Sequence, residues 1–87
     1  MVAFGLYDIE SAALTPTSVV TNTAPTGSYR GAGRPEAAYA IERAIDAFAR
    51  AAGLDPVEVR LTNFIPAESL PYRTATGALY DSGDYAA

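Results

Sequence analysis

One run in this chain, Glu36 to Ala52, holds neither proline nor glycine and carries its apolar residues at helical spacing. Elsewhere seven glycines and six prolines cut the 87 residues into short pieces, so the fold must be organised around this run. Pro35 suits the first helical position, where its missing N–H would be unpaired in any case. Ile41, Ile45, Phe48, Ala49 and Ala52 share one face. Glu42, Arg43, Asp46 and Arg50 share the other, with Asp46 and Arg50 four apart and of favourable sign. Gly53 stands where a left-handed C-terminal residue closes such a helix.

A second, shorter helix is expected at once. In Asp55-Pro56-Val57-Glu58, Asp55 caps, Pro56 opens and Glu58 reaches back. Leu54 and Val59 are placed for a hydrophobic staple, and the capping side chain alone is worth about 1 kcal/mol. This helix ends near Asn63, and Pro66 and Pro71 impose irregular chain beyond it.

The remaining stretches read less uniformly. Val2, Phe4, Leu6 and Ile9 nearly alternate with small or polar residues, as in a strand facing a core. Thr17 to Thr23 is rich in β-branched residues and reads as a second strand. Between them, Glu10 to Pro16 is open to strand, bulge or loop. Ala24 to Pro35 is a glycine- and proline-rich loop. The tail, Tyr72 to Ala87, has turns at Thr76-Gly77 and Ser82-Gly83 and reads as a connector. The expected class is α/β: two or three strands, a glycine-rich loop, one amphipathic helix, a short capped helix and an irregular tail.

Composition removes several function classes. A hydrophobic fraction of 49% with 18% charged residues is that of a folded chain. At 87 residues it is one small domain at most, with about 60% of its unfolded surface buried in a typical case. The net charge is −4, and the six basic residues, all arginine, form no stripe, so nucleic acid is not an expected partner. With no Cys and no His, the chain holds no thiolate-bound iron–sulfur cluster, ordinary zinc site, histidine triad or disulfide. Met1 to Glu10 lacks a basic n-region, and no apolar run reaches the roughly 18 residues of a membrane span. The cytoplasm is therefore the expected compartment, with no membrane partner.

The segment Ser28-Tyr29-Arg30-Gly31-Ala32-Gly33-Arg34-Pro35-Glu36 is the most informative for chemistry, a strand and a glycine loop leading into a helix. Two readings are open. Glycines permit close backbone approach to a ligand, and a helix N-terminus flanked by Arg30 and Arg34 suits an anion. Equally, Gly31 and Gly33 can make a tight turn and nothing more. The loop is not a dinucleotide fingerprint, because Glu36 replaces the third glycine, and it lacks the Gly-Lys-Ser/Thr of a P-loop. Glu36 itself lies in a first helical turn, where the dipole stabilises a carboxylate. The pairs Asp8/Glu10 and Asp81/Asp84 offer too few oxygens for a hard cation, the six tyrosines are scattered, and Ser28 has no base to activate it. No catalytic residue and no metal ligand is assigned.

Thr21-Asn22, then Tyr29 to Glu36, then a helix, then Asp55-Pro56-Val57-Glu58-Val59-Arg60-Leu61-Thr62-Asn63 resemble, in order and spacing, the large molybdopterin-binding subunits of the xanthine dehydrogenase/aldehyde oxidase-type hydroxylases. Pro71-Tyr72-Arg73-Thr74 and Tyr80 to Tyr85 are similar to bacterial members. Gly31-Ala32-Gly33-Arg34 resembles the carbon monoxide dehydrogenase-like large subunits of form II. The resemblance covers most of the chain but a small part of such a subunit, so residues 1–87 are expected to be a single partial domain, with 72–87 a connector.

The resemblance implies a molybdenum–molybdopterin cofactor, in its cytosine dinucleotide form, lined by Arg30, Gly31, Ala32 and Gly33. It implies hydroxylation of an aldehyde or N-heterocycle with water-derived oxygen. It further implies the rest of the large subunit, iron–sulfur and flavin subunits or domains, and a small-molecule substrate as partners. The family's glutamate base has no counterpart here. Xanthine-oxidising members have Phe at the position of Ala32, and copper-containing carbon monoxide dehydrogenases have Cys at that of Gly31. The alternative is a truncated structural or interaction domain that binds no cofactor.

Overall fold

The computed structural model describes residues 4–87. In order come helix α1 (Arg34–Ala52), helix α2 (Pro56–Asn63), a 3-10 turn (Ala67–Ser69), and strands β1 (Tyr72–Arg73) and β2 (Leu79–Tyr80). The small α/β character expected from sequence is present, as two helices and a two-stranded antiparallel sheet.

Both helices end as their sequences dictate. Gly33 precedes α1 and Pro35 occupies its first turn. At the other end Gly53 is left-handed, its N–H bonding to Arg50 O at 3.3 Å while the Leu54 N–H reaches Ala49 O at 2.9 Å. These two bonds satisfy carbonyls that would otherwise be orphaned. Asp55 Oδ1 accepts from the Val57 and Glu58 amides at 2.8 and 3.1 Å, capping α2. The cap is one-sided, because Glu58 makes no return bond to the Asp55 amide among the described residues.

The strands are not where alternation places them. Val2 lies outside the described residues. From Phe4 to Leu6 the chain turns, and only Tyr7 forms a bridge, antiparallel to Phe64. Flanking bonds, Asp8 N–H to Asn63 O at 2.8 Å and Ile65 N–H to Leu6 O at 2.9 Å, tie this segment to the end of α2. Thr17–Thr23 forms no strand, although its composition favours one. Among the described residues it has no backbone partner, and a strand exists only as part of a ladder. The ladder that does form lies in the tail, with Tyr72 opposite Tyr80 and Arg73 opposite Leu79. Thr74 closes it: its amide bonds Ala78 O at 2.8 Å and its hydroxyl accepts from Ala78 N–H at 3.0 Å.

The core is correspondingly small. Tyr7, Ala49, Val59 and Ile65 are its buried apolar residues, and the Tyr7 and Phe64 rings stack at 5.3 Å. Tyr80 Oη donates to Gly5 O at 2.8 Å and Tyr72 Oη to Asp8 Oδ1 at 2.7 Å. The tail is thus tied to the N-terminal segment rather than hanging free.

Candidate functional site

Residues 30–33 turn sharply into α1. The Ala32 amide bonds Tyr29 O at 2.8 Å and the Arg34 amide bonds Gly31 O at 3.0 Å. Three consecutive residues have positive φ: Gly31 at 90°, Ala32 at 45° and Gly33 at 86°. Glycine adopts this region freely, whereas Ala32 does so at some strain. A Cβ on Gly31 would stand 2.8 Å from Pro35 Cδ, so this glycine is required twice, by conformation and by space. At Gly33 a Cβ would meet nothing within 4 Å.

Arg30, Ala32 and Gly33 border an open hollow of about 540 Å³ with Thr26, Gly27, Ser28, Tyr29 and Glu36. Gly31 does not line it. Arg30 and Arg34 are exposed, and neither has an ion pair or side-chain hydrogen bond among the described residues. Two unpaired guanidinium groups flanking a helix N-terminus without a side-chain cap make this end of the molecule electropositive. Glu36 is exposed in the first turn of α1.

The other candidate groups lie apart from it or are already used. Asp8 accepts the Tyr72 hydroxyl, which raises the Tyr72 pKa through that bond first and through burial second. Asp81 accepts from Ser82 Oγ at 3.3 Å and Asp84 from the Ala86 amide at 3.3 Å. Among the described residues no group of three or more acidic side chains is arranged to hold a metal ion.

Sequence reasoning missed a second cluster. Arg60 Nε donates to Glu42 Oε2 at 2.8 Å, and Nη2 donates to Asp46 Oδ1 at 2.9 Å and to Glu42 O at 3.2 Å. Tyr7 Oη donates to Glu42 Oε1 at 2.9 Å. Asp46 therefore pairs with Arg60, and with Arg43 at 3.8 Å, instead of with Arg50. Burial first, then the bond to Glu42, pushes the Tyr7 pKa up from 10.0 to about 12. One signal was available: Glu42 and Asp46 are like charges four apart on α1, an arrangement that is unfavourable without a cation between them. The cluster ties α1, α2 and the N-terminal segment together and has no unsatisfied polar group that would await a ligand.

Comparison with known proteins identifies the setting of the turn. A family model described as the molybdopterin cofactor-binding domain matches residues 1–64. The chain belongs to that family. Its relatives include the carbon monoxide dehydrogenase large chains of Hydrogenophaga pseudoflava, 47% identical over 93% of this chain, and Afipia carboxidovorans, 45% identical over 93%. The 6-hydroxypseudooxynicotine dehydrogenase complex subunit gamma of Paenarthrobacter nicotinovorans is 35% identical over 95% of the chain. This molybdopterin cofactor-binding domain chain spans about a tenth of the length of these relatives (10%, 10% and 11%). A crystal structure of a Cu,Mo-CO dehydrogenase superposes on 57% of this chain and 6% of its own, with a TM-score of 0.56 and 48% identity. The xanthine dehydrogenase-type large-subunit resemblance therefore holds. Among the described residues, no helix of this molybdopterin cofactor-binding domain chain is long and apolar enough to cross a membrane.

Proposed function

We propose that this chain is a cofactor-lining segment of a molybdenum hydroxylase large subunit, with Arg30, Gly31, Ala32 and Gly33 at the molybdopterin and substrate pocket. The observation that carries the reading is an exposed, unpaired arginine on a positive-φ turn, inside the stretch that matches the cofactor-binding family. The residues fit such a group. Molybdopterin is anionic, Arg30 is a free cation, and the open side of Gly33 lets backbone approach a ligand closely.

In this reading Arg30 binds and orients the anionic cofactor through charge-assisted hydrogen bonds. Gly31, locked against Pro35, fixes the direction in which the turn presents it. Ala32 and Gly33 form the wall of the hollow and leave room for a small substrate. When bound, the molybdenum centre supplies a two-electron oxidation that hydroxylates substrate with oxygen from water. No general base for that step is assigned to this chain.

The substrate class is an aldehyde or N-heterocycle and the pterin is the cytosine dinucleotide form. Electrons leave through iron–sulfur and flavin partners in the cytoplasm. The solved relative carries copper as well as molybdenum in its name, but this chain has no Cys to supply a thiolate, so molybdenum alone is assigned. The alternative reading is a truncated structural or interaction domain that binds no cofactor.

Grafting separates them. The chain replaces the matching segment of the Hydrogenophaga large chain, and molybdenum and copper are measured in the purified assembly. Stoichiometric molybdenum without copper is the expected result. A soluble, assembled, molybdenum-free chimera would support the non-binding reading instead.

A further inference from the structure

Pro35 stands in the first turn of α1 at a cost to the residue before it. Arg34 is already helical, and a following proline disfavours that conformation because its Cδ crowds the preceding residue. The ring breaks no helix bond, since first-turn amides have no partner within the helix. Starting the helix is therefore an incomplete account of a proline at this position. The ring also fills the space that a side chain on Gly31 would need: a Cβ there would stand 2.8 Å from Pro35 Cδ and 3.0 Å from Cγ.

Backbone bonds link the turn to the helix in three places. The Ala32 amide bonds Tyr29 O, the Arg34 amide bonds Gly31 O at 3.0 Å, and the Ala37 amide bonds Gly33 O at 3.0 Å. Gly31 and Gly33 both have positive φ, and a glycine can leave that region as readily as it enters. Pro35 is stiffer, its φ held near about −65° by the ring. A rigid group set against Gly31 limits the freedom that the glycine would otherwise bring to the turn.

We propose that Pro35 is a positioning residue for Arg30, and that positions 31 and 35 are a matched pair: the ring at 35 holds the turn only while 31 has no side chain. Arg30 directly precedes Gly31, so the peptide that joins them takes its direction from this contact. Pro35 acts through Gly31 and touches no ligand itself. The step from the direction of Arg30 to molybdenum loading rests on the cofactor reading above. The match between 31 and 35 stands independently of it.

Two roles for Pro35 predict opposite signs. A proline that only starts the helix makes Pro35→Ala add its loss to that of Gly31→Ala. A matched pair makes Pro35→Ala give room to the methyl added at position 31. The urea midpoint of Gly31→Ala/Pro35→Ala is therefore expected to lie above that of Gly31→Ala. Pro35→Ala alone should speed hydrogen exchange of the Arg34 amide, which bonds Gly31 O, about two- to fivefold. The Val59 amide at the start of α2 serves as the unchanged control. In the grafted large subunit, molybdenum content should fall with Gly31→Ala and recover with the double substitution. A double-variant midpoint at or below that of Gly31→Ala would overturn the match, as would an Arg34 amide equally protected with and without Pro35. Loss of molybdenum with Arg30→Ala but not with Gly31→Ala would overturn the positioning role. Full loading with Arg30→Ala would instead remove the cofactor reading, and the midpoints would still decide the match.

Discussion

Arg60, in the last turn of α2, holds Glu42 of α1 through a hydrogen-bonded ion pair of 2.8 Å. The same guanidinium reaches Asp46 at 2.9 Å, so one planar cation bridges two carboxylates a helical turn apart. These contacts raise the Arg60 pKa, through the Glu42 bond first and the Asp46 bond second. The pair is only part-shielded, with Glu42 45% and Arg60 21% exposed, so solvent screening lowers its worth. Arg60→Ala is expected to cost about 1–2 kcal/mol, and Arg60→Lys most of that, since an ammonium cannot span both acids. Arg50→Ala should stay within about 0.5 kcal/mol. Urea denaturation of the three variants checks the order.

Tyr7 gives the fold an alkaline limit. Its pKa is about 12 in the folded chain against 10.0 for a free tyrosine, so the folded state holds the proton more tightly. The stability this contributes is complete below pH 10 and is lost as pH rises through about 12. Unfolding free energy should fall by about 2 kcal/mol across that window. Tyr7→Phe keeps the ring against Phe64 but loses the bond to Glu42. It should be less stable by about 1 kcal/mol at pH 8 and show less alkaline loss. Denaturation curves at pH 8, 10 and 11.5 test both statements; an equally steep loss in Tyr7→Phe would exclude Tyr7 as the cause.

The turn before α1 should discriminate between its glycines. Gly33→Ala places a side chain in open space and costs only the left-handed conformation, about 1 kcal/mol. Gly31→Ala adds a contact with the rigid Pro35 ring at 2.8 Å and is expected to be worse, with fraying of the first turn of α1. Circular dichroism and the urea midpoint of the two variants compare them directly. Equal effects would mean that Pro35 yields.

The helices were legible because their signals are local. Pro35, Gly53, Asp55 and Pro56 fix the ends through bonds within a few residues of themselves. Burial was less legible. Ala49 is buried, but Phe48 and Ala52 on the expected core face are exposed, while Glu42 and Asp46 on the expected outer face are half-covered. The reason is α2, too short to cover the whole stripe, which sets Arg60 against the acidic side of α1. Strands depend on distant partners. Thr17–Thr23 has the right residues and no ladder, whereas Tyr72–Arg73 and Leu79–Tyr80 pair because Thr74 and Gly77 shape the turn between them. At the candidate site, the glycines and arginines were visible in sequence, and the clash that makes Gly31 obligatory was not.

The assignment of the turn to the cofactor pocket is tested most directly by the molybdenum content of the grafted large subunit carrying Arg30→Ala, beside the unaltered graft and Arg50→Ala. Arg30 is exposed and unpaired, so its removal should leave yield and melting temperature unchanged. The account predicts stoichiometric molybdenum with the unaltered segment and with Arg50→Ala, and less than half of that with Arg30→Ala. Full molybdenum loading of the Arg30→Ala graft would contradict it.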